Sequence, residues 1–414
     1  MLSLILPLLI ATLPGERQTF EVTDFIHADT DCTARCNIWP AVQRVFDIAD
    51  VVTGYPPQGY APGSSIHLKA GVWETNKTIE LKRGHHFYGD GGGNSNSATM
   101  ILVTQPVSAF RMPTLNGGMA SITDLGAWLL APPPANAPTD ADFVKMDGKG
   151  HVEHFYARGF THGIHVEGNH LTGTNVNGAS IRDGYIELVD HAGVFLRGQD
   201  GNSITVDNVQ MSYVCQRASL YNTALGTSCA GAFDRGQMGN LWMNIQVALT
   251  TDKLTGVMYQ PYDLNHQASG SVCILCYSEL PPNIPKSLVG QNVAVIGGIS
   301  DWSGLGMRML GARVNQLRIQ GVAVPGVPGV PELLLGQLGS LPGSVIDAIP
   351  PQIAGSPLPT YAALRLRLSS DLANPAWIWD LGGQVNGLSE RISIATPTWA
   401  KTCIRTSTAS LTCP

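Results

Sequence analysis

The hexapeptide GIHVEG at Gly163–Gly168 returns as GVFLRG at Gly193–Gly198, thirty residues later. Around this pair, Val152-Glu153-His154, Ile181-Arg182-Asp183 and Val206-Asp207-Asn208 open successive segments at offsets of 29 and 25 residues. Side chains alternate between the two faces of a strand. Ile164, Val166, Val194 and Leu196 therefore share one face, and His165, Glu167, Phe195 and Arg197 share the other. A propeller blade repeats over a longer stretch, ~40–45 residues, and a sandwich has no reason to repeat in register. One turn of a three-sided parallel β-helix takes about the length seen here and stacks each coil ~4.8 Å from the last. Stacking at the observed offset sets His165 over Phe195 and Glu167 over Arg197, with both pairs directed outward.

The rest of the chain agrees with an all-β solenoid. Of 414 residues only 14% are charged, against ~25% in an average soluble domain, while 44% are hydrophobic and there are 46 Gly and 27 Pro. Disorder is excluded by the apolar content, and coiled coils or helical repeats by the Gly content and low charge. The 25 Lys and Arg against 31 Asp and Glu leave a net charge of −6 with no basic stripe. A duplex nucleic-acid partner is not expected on that charge pattern.

Four segments are expected. Residues 1–20 begin with an apolar run too short to cross a bilayer, so no membrane span is expected. The run lacks the cationic start and small-residue site of a secretory signal and reads as an apolar peg for a partner or an oligomer axis. Residues 21–320 carry the β-helix. A helix opens it, with Pro40 in its first turn and Ala41, Val42, Val45, Phe46 and Ala49 at helical spacing. Residues 321–360 form a Pro/Gly-punctuated connector. Its apolar stretch Val322–Leu341 calls for burial and, with it, a homotrimer. Residues 361–414 alternate like strands and form a small C-terminal β module that, with the N-terminal helix, covers the solenoid's open ends. Eight cysteines fall into close pairs, Cys32/Cys36, Cys215/Cys229, Cys273/Cys276 and Cys403/Cys413, as disulfides closing short loops would leave them.

Val22–Phe25, the helix, and SSIHLKAGVWETNKTIELKRGHHFYGDGGG resemble the opening of the pectate-lyase-like right-handed parallel β-helix superfamily. The resemblance rests on Ile66, Leu68, Ala70-Gly71 and Trp73, followed by Gly89-Asp90-Gly91. The segment SVCILCYSELPPNIPKSLVGQNVAVIGG is similar to the late coils of phage tailspikes and related virion β-helix proteins. Together these cover roughly residues 20–320. They imply a right-handed solenoid with a capping helix, located in a virion and attached to other virion proteins through its N-terminus. The implied partner is a bacterial surface polysaccharide, with binding implied and cleavage left open. The superfamily also includes secreted polysaccharide lyases and glycoside hydrolases, and a non-catalytic spacer role fits the same fold.

Hydrolysis of a glycan calls for two carboxyl groups at a set separation. The densest outward polar cluster runs from Glu187 through Asp190, His191, Arg197 and Asp200. In it Glu187 or Asp190 is the candidate general acid, and His191 or a second carboxylate such as Asp200 the base. Arg197 clamps an acidic sugar, with His165, Glu167 and Phe195 lining the same face. The alternative is a solvated strand face followed by ordinary turns. Five histidines lie within residues 151–170: His151, His154, His162, His165 and His170. Strand spacing scatters them over different faces, so neither a metal nor any other cofactor is expected, apart from a ring formed by one histidine from each of three chains. Gly89–Gly93 lacks the Lys-Ser/Thr and helix of a phosphate loop and reads as a tight turn between coils.

Overall fold

The computed structural model describes residues 18–52, 63–82, 84–93, 98–112, 119–131, 138–169, 171, 173–225, 228–236, 239–265 and 271–279, and beyond residue 287 the backbone of individual strands. Two long sheets run side by side through the chain. In the first, Thr19–Glu21, Ser65–His67, His86–Tyr88, Ala120–Leu129, Gly150–Arg158, Ser180–Glu187, Thr205–Ser212, Leu241–Met243, Ser271–Ile274 and Val293–Ile296 are hydrogen-bonded neighbours in that order. The second takes Ile79–Glu80, Phe110–Met112, Val144–Met146, Ile164–Gly168, Val194–Gly198, Ala232–Arg235 and Tyr262–Asn265 in the same sense. Each pairing among these is parallel, and each coil delivers a strand to one sheet and then to the other. This is a parallel β-helix.

The repeat offsets are the pairing register. Ile164 pairs with Val194 and Gly168 with Gly198, placing His165 on Phe195 and Glu167 on Arg197. Val152, Ile181 and Val206 stack in three successive coils. The residue closing each of those triplets has a structural task. Asp124, His154, Asp183, Asn208, Asn244 and Leu275 all have φ between 48° and 57°, one in each of six coils. Asp, Asn and His tolerate this left-handed region better than other side-chain-bearing residues, so they bend each long strand without needing glycine. Their side chains also bond along the bend: Asn208 Nδ2 donates to Asp183 Oδ1 at 2.6 Å, and His154 lies 3.3 Å from Asp124 and 3.6 Å from Asp183.

Inside the coils, apolar residues form one continuous core from Val22 to Cys276. Aromatic rings stack along its axis. Phe110 lies 5.3 Å from Phe87 and 6.0 Å from Phe143, and Phe143 in turn is 5.6 Å from Phe155 and 6.0 Å from Phe160. Gly184 makes room for this column, since a Cβ there would meet the Phe155 ring at 2.1 Å. The helix Trp39–Val52 covers the N-terminal end, burying Ala41, Val42, Val45 and Phe46 in the same core. Beyond residue 364 the strands Leu364–Ser369, Pro375–Leu381, Glu390–Thr396, Trp399–Ser407 and Ser410–Thr412 pair antiparallel in sequence order. The apolar start at residues 1–17 and most of the Val322–Leu341 segment lie outside the described residues.

Disulfides join Cys32 to Cys36, Cys215 to Cys229 and Cys273 to Cys276; the side chains of Cys403 and Cys413 lie outside the described residues. The second bridge bears on function, because it closes the excursion that carries the helix Ala218–Leu225. That helix covers the outward face of the second sheet, where Leu225 packs against Phe195 and Phe233. Replacing both Cys215 and Cys229 with Ser is expected to lower the unfolding free energy by about 3 kcal/mol, as for a ~15-residue loop. A denaturant melt against wild type measures this, alongside greater dye binding as the Phe195 face opens.

Candidate functional sites

The structure divides the sequence-derived candidates among four places. Glu187 stands on the outer face of the first sheet. Asp190 and His191 lie buried at the corner leading into the second sheet. Asp200 sits in the turn after Val194–Gly198, where its backbone carbonyl accepts from Val176 N at 3.3 Å. Arg197 and Glu167 are partly exposed and paired, with Nη2 to Oε1 at 2.8 Å. His165 and Phe195 do point out of the coil, but they are not on a solvated face: His165 is 4% exposed and Phe195 0%. The helix Ala218–Leu225 and the chain around residues 139–142 fold over them, a covering that strand periodicity cannot reveal.

Beneath that cover lies a buried polar network. Asp142 Oδ1 is 2.7 Å from His162 Nδ1, and its Oδ2 is 2.9 Å from His165 Nδ1. His162 Nε2 faces His191 Nδ1 at 3.2 Å. His162 stacks on Phe195 at 4.6 Å, and Phe195 on Phe233 at 4.6 Å. At the edge, His165 Nε2 is 3.4 Å from Glu167 Oε2, and Asp190 is bound by Arg217 at 2.6 Å. Thus the expectation that these histidines scatter fails for His162 and His165. His162 lies in the turn before its strand, directly over Asp142 of the preceding coil, a coil shorter than those from which the repeat was read. Asp142, His162 and His165 together present donor atoms suited to a metal, all within 4.8 Å of one another.

Charge in the network is set by burial against proximity. Burial raises the Asp142 carboxyl, but the two imidazoles outweigh it and hold it below the ordinary carboxylate range. For His165 burial acts downward, and Asp142, Asp140 and Glu167 overcome it, so its pKa lies well above that of a free imidazole. Glu167 is lowered to about 2, first by His165 and then by Arg197. His162 and His191 stay on the neutral side: burial lowers both, and His162 further lowers His191. A histidine NMR titration of the metal-free protein is therefore expected to show His165 titrating above ~6.5 and the other two below it. The stability consequences oppose each other. His165 contributes fully below pH ~6.5 and loses that contribution as pH rises through its folded value. His162 and His191 contribute above pH ~6.5 and lose their share as pH falls toward their folded values.

The other site is a lateral ladder. Trp128 pairs in register with Arg158, Arg158 with Glu187, Glu187 with Ser212, and Ser212 with Ala248. Arg158 Cζ sits 4.5 Å over the Trp128 ring, and Arg158 Nη1 donates to Glu187 Oε1 at 2.9 Å. The Tyr156 hydroxyl also donates to Glu187 Oε1, and its ring stacks on Tyr185 with an interplanar angle of 7°. Burial, and then this hydrogen bond, pushes the Tyr156 hydroxyl up to about 12, so it remains a proton donor at neutral pH. Trp128 stays 38% exposed. Of this set only Glu187 was anticipated. Advancing the triplet starts Val152, Ile181 and Val206 by six residues gives Arg158, Glu187 and Ser212, so the ladder was available from the repeat.

No protein-family model and no curated protein matches the chain. Solved structures match the chain at low identity. ORF18 of Geobacillus virus E2 is 11% identical over 96% of this chain and 76% of that one, with a TM-score of 0.37. The A-module of the Azotobacter vinelandii mannuronan C-5 epimerase AlgE4 is 12% identical over 84% and 88%, with a TM-score of 0.39. DFA-IIIase from Arthrobacter chlorophenolicus A6 is 9% identical over 85% and 92%, with a TM-score of 0.42. The likeness is one of fold, and it assigns no activity. Among the described residues no helix is long and apolar enough to cross a membrane.

Proposed function

We propose that this chain is a polysaccharide-binding β-helix that holds an extended glycan along the Trp128–Arg158–Glu187 ladder. The observation carrying this reading is the ladder itself: a half-exposed indole face beside a carboxylate already oriented by Arg158 and Tyr156. An indole face packs against the C–H face of a sugar ring, and a fixed carboxylate accepts its hydroxyl hydrogens. Coils repeat at ~4.8 Å, so the ladder offers contacts in step along a linear polymer. In this proposal the chain belongs to a virion spike of the receptor-binding type, a homotrimer engaging bacterial surface polysaccharide.

Cleavage is not assigned to this ladder. A glycosidase needs a pair of carboxyl groups, ~5–5.5 Å or ~6.5–9.5 Å apart. Along this ladder the register position next carrying a carboxylate after Glu187 is Glu279, three coils or ~14 Å further on, beyond either separation. The proposal is tested by affinity electrophoresis through gels containing purified bacterial surface polysaccharides. Wild type is expected to be retarded by its cognate polymer and Trp128→Ala to run free; equal retardation of both excludes the ladder. Native mass spectrometry tests the assembly, with a trimer expected and a monomer favouring a secreted lyase or hydrolase.

A further inference from the structure

We propose that Asp142, His162 and His165 form a binding site for one divalent transition-metal ion per chain, a two-imidazole, one-carboxylate donor set that leaves a fourth coordination position open. Two imidazole nitrogens and a carboxylate oxygen are ligands that zinc and cobalt favour, whereas calcium requires six to eight oxygens. All three residues are buried, Asp142 at 0%, His162 at 2% and His165 at 4% exposure. Their donor atoms lie within 4.8 Å. Zinc bonds of ~2.0–2.2 Å place neighbouring ligand atoms about 3.3 Å apart in a tetrahedron. Asp142 is 2.7 Å from one imidazole and 2.9 Å from the other, so a small spreading of the three groups admits the ion.

The surroundings point the same way. A metal-bound imidazole characteristically presents its second nitrogen to an outer partner that fixes the ring. Here the outer nitrogen of His162 faces His191 at 3.2 Å, and that of His165 faces Glu167 at 3.4 Å. His165 Nε2 is nevertheless buried out of hydrogen-bonding alignment, and His191 Nε2 is buried without a hydrogen bond. Phe195 stacks on His162 and the helix held by Cys215–Cys229 covers that face, so a single small ligand such as water is what the fourth position would take. The site is separate from the lateral ladder, and its test does not depend on glycan binding.

The full chain, stripped with a chelator and confirmed folded by circular dichroism, would be titrated with Co²⁺ and then Zn²⁺. The expected result is one equivalent of Co²⁺ giving the intense visible bands of low-coordinate cobalt, displacement by Zn²⁺, and a rise in Tm. His162→Gln is expected to abolish the bands. Glu167→Gln, which leaves all three ligands in place, is expected to weaken binding by about 10–100-fold. His154→Ala, on the exposed bend away from the three ligands, is expected to leave Co²⁺ stoichiometry and affinity unchanged. Absence of stoichiometric binding by the folded wild type overturns the proposal and leaves a purely hydrogen-bonded core. Bands that persist in folded His162→Gln overturn it as well; if that variant does not fold, persistence of wild-type affinity in Glu167→Gln serves as the contrary result.

Discussion

Asp142→Ala is expected to lower the unfolding free energy of the metal-free protein by about 3–5 kcal/mol, the usual cost of removing one partner from a buried ion pair. Asp142 is fully buried and accepts from both His162 and His165. Without it, His165 keeps its charge against only the more distant Asp140 and Glu167, at 3.8 and 3.4 Å, or loses its proton in a dry pocket. His162 Nδ1 is left without its acceptor in either case. Asp142→Asn retains the volume and one acceptor oxygen, so it should lose less. Urea melts of the three proteins at one pH give the ordering. A loss below about 1 kcal/mol for the alanine variant means that water enters and solvates the cluster.

A comparable loss, about 3–5 kcal/mol, is expected for Phe143→Ala. Phe143 is fully buried and touches Phe110 of the preceding coil and Phe155 and Phe160 of its own and the next. Its deletion leaves a cavity that stacked coils cannot close, because strand hydrogen bonds hold their spacing. In a solenoid each coil leans on its neighbours, so the damage should concentrate nearby. Hydrogen exchange should quicken first in Phe110–Met112, Val144–Met146 and Gly150–Arg158, and much less in Thr205–Ser212. Uniform loss of protection along the chain would instead show a single global unfolding unit.

How far the sequence reached depended on what repeats. The six-residue echo of Gly163–Gly168 at Gly193–Gly198 is the pairing register itself, so fold and stacking were legible from it. The capping helix was legible because Ala41, Val42, Val45 and Phe46 keep helical spacing. At the first bend the positive φ falls on Asp, Asn and His in five coils and on Leu275 in the sixth, so side-chain-bearing residues and not glycine turn the strand there. What escaped is everything that interrupts the repeat. His165 and Phe195 look exposed until Ala218–Leu225 covers them. Asp142 joins His162 through a shorter coil whose offset differs from those read. Glu187 and Asp190 are three residues apart in sequence, but the corner at Leu188, with φ 55°, sends one outward and the other into the corner packing.

Titration calorimetry with oligosaccharides of increasing length, cut from the polymer that retards the protein, tests the ladder most directly. Trp128, Arg158 and Glu187 occupy three consecutive coils and span ~10 Å. Affinity is predicted to rise with chain length until the oligosaccharide covers that span, then to level off. Trp128→Ala and Glu187→Gln are each predicted to weaken binding at least 10-fold, about 1.4 kcal/mol, with Arg197→Ala on the other sheet binding like wild type. Unchanged affinity in both ladder variants, or loss of binding in Arg197→Ala alone, would contradict the account.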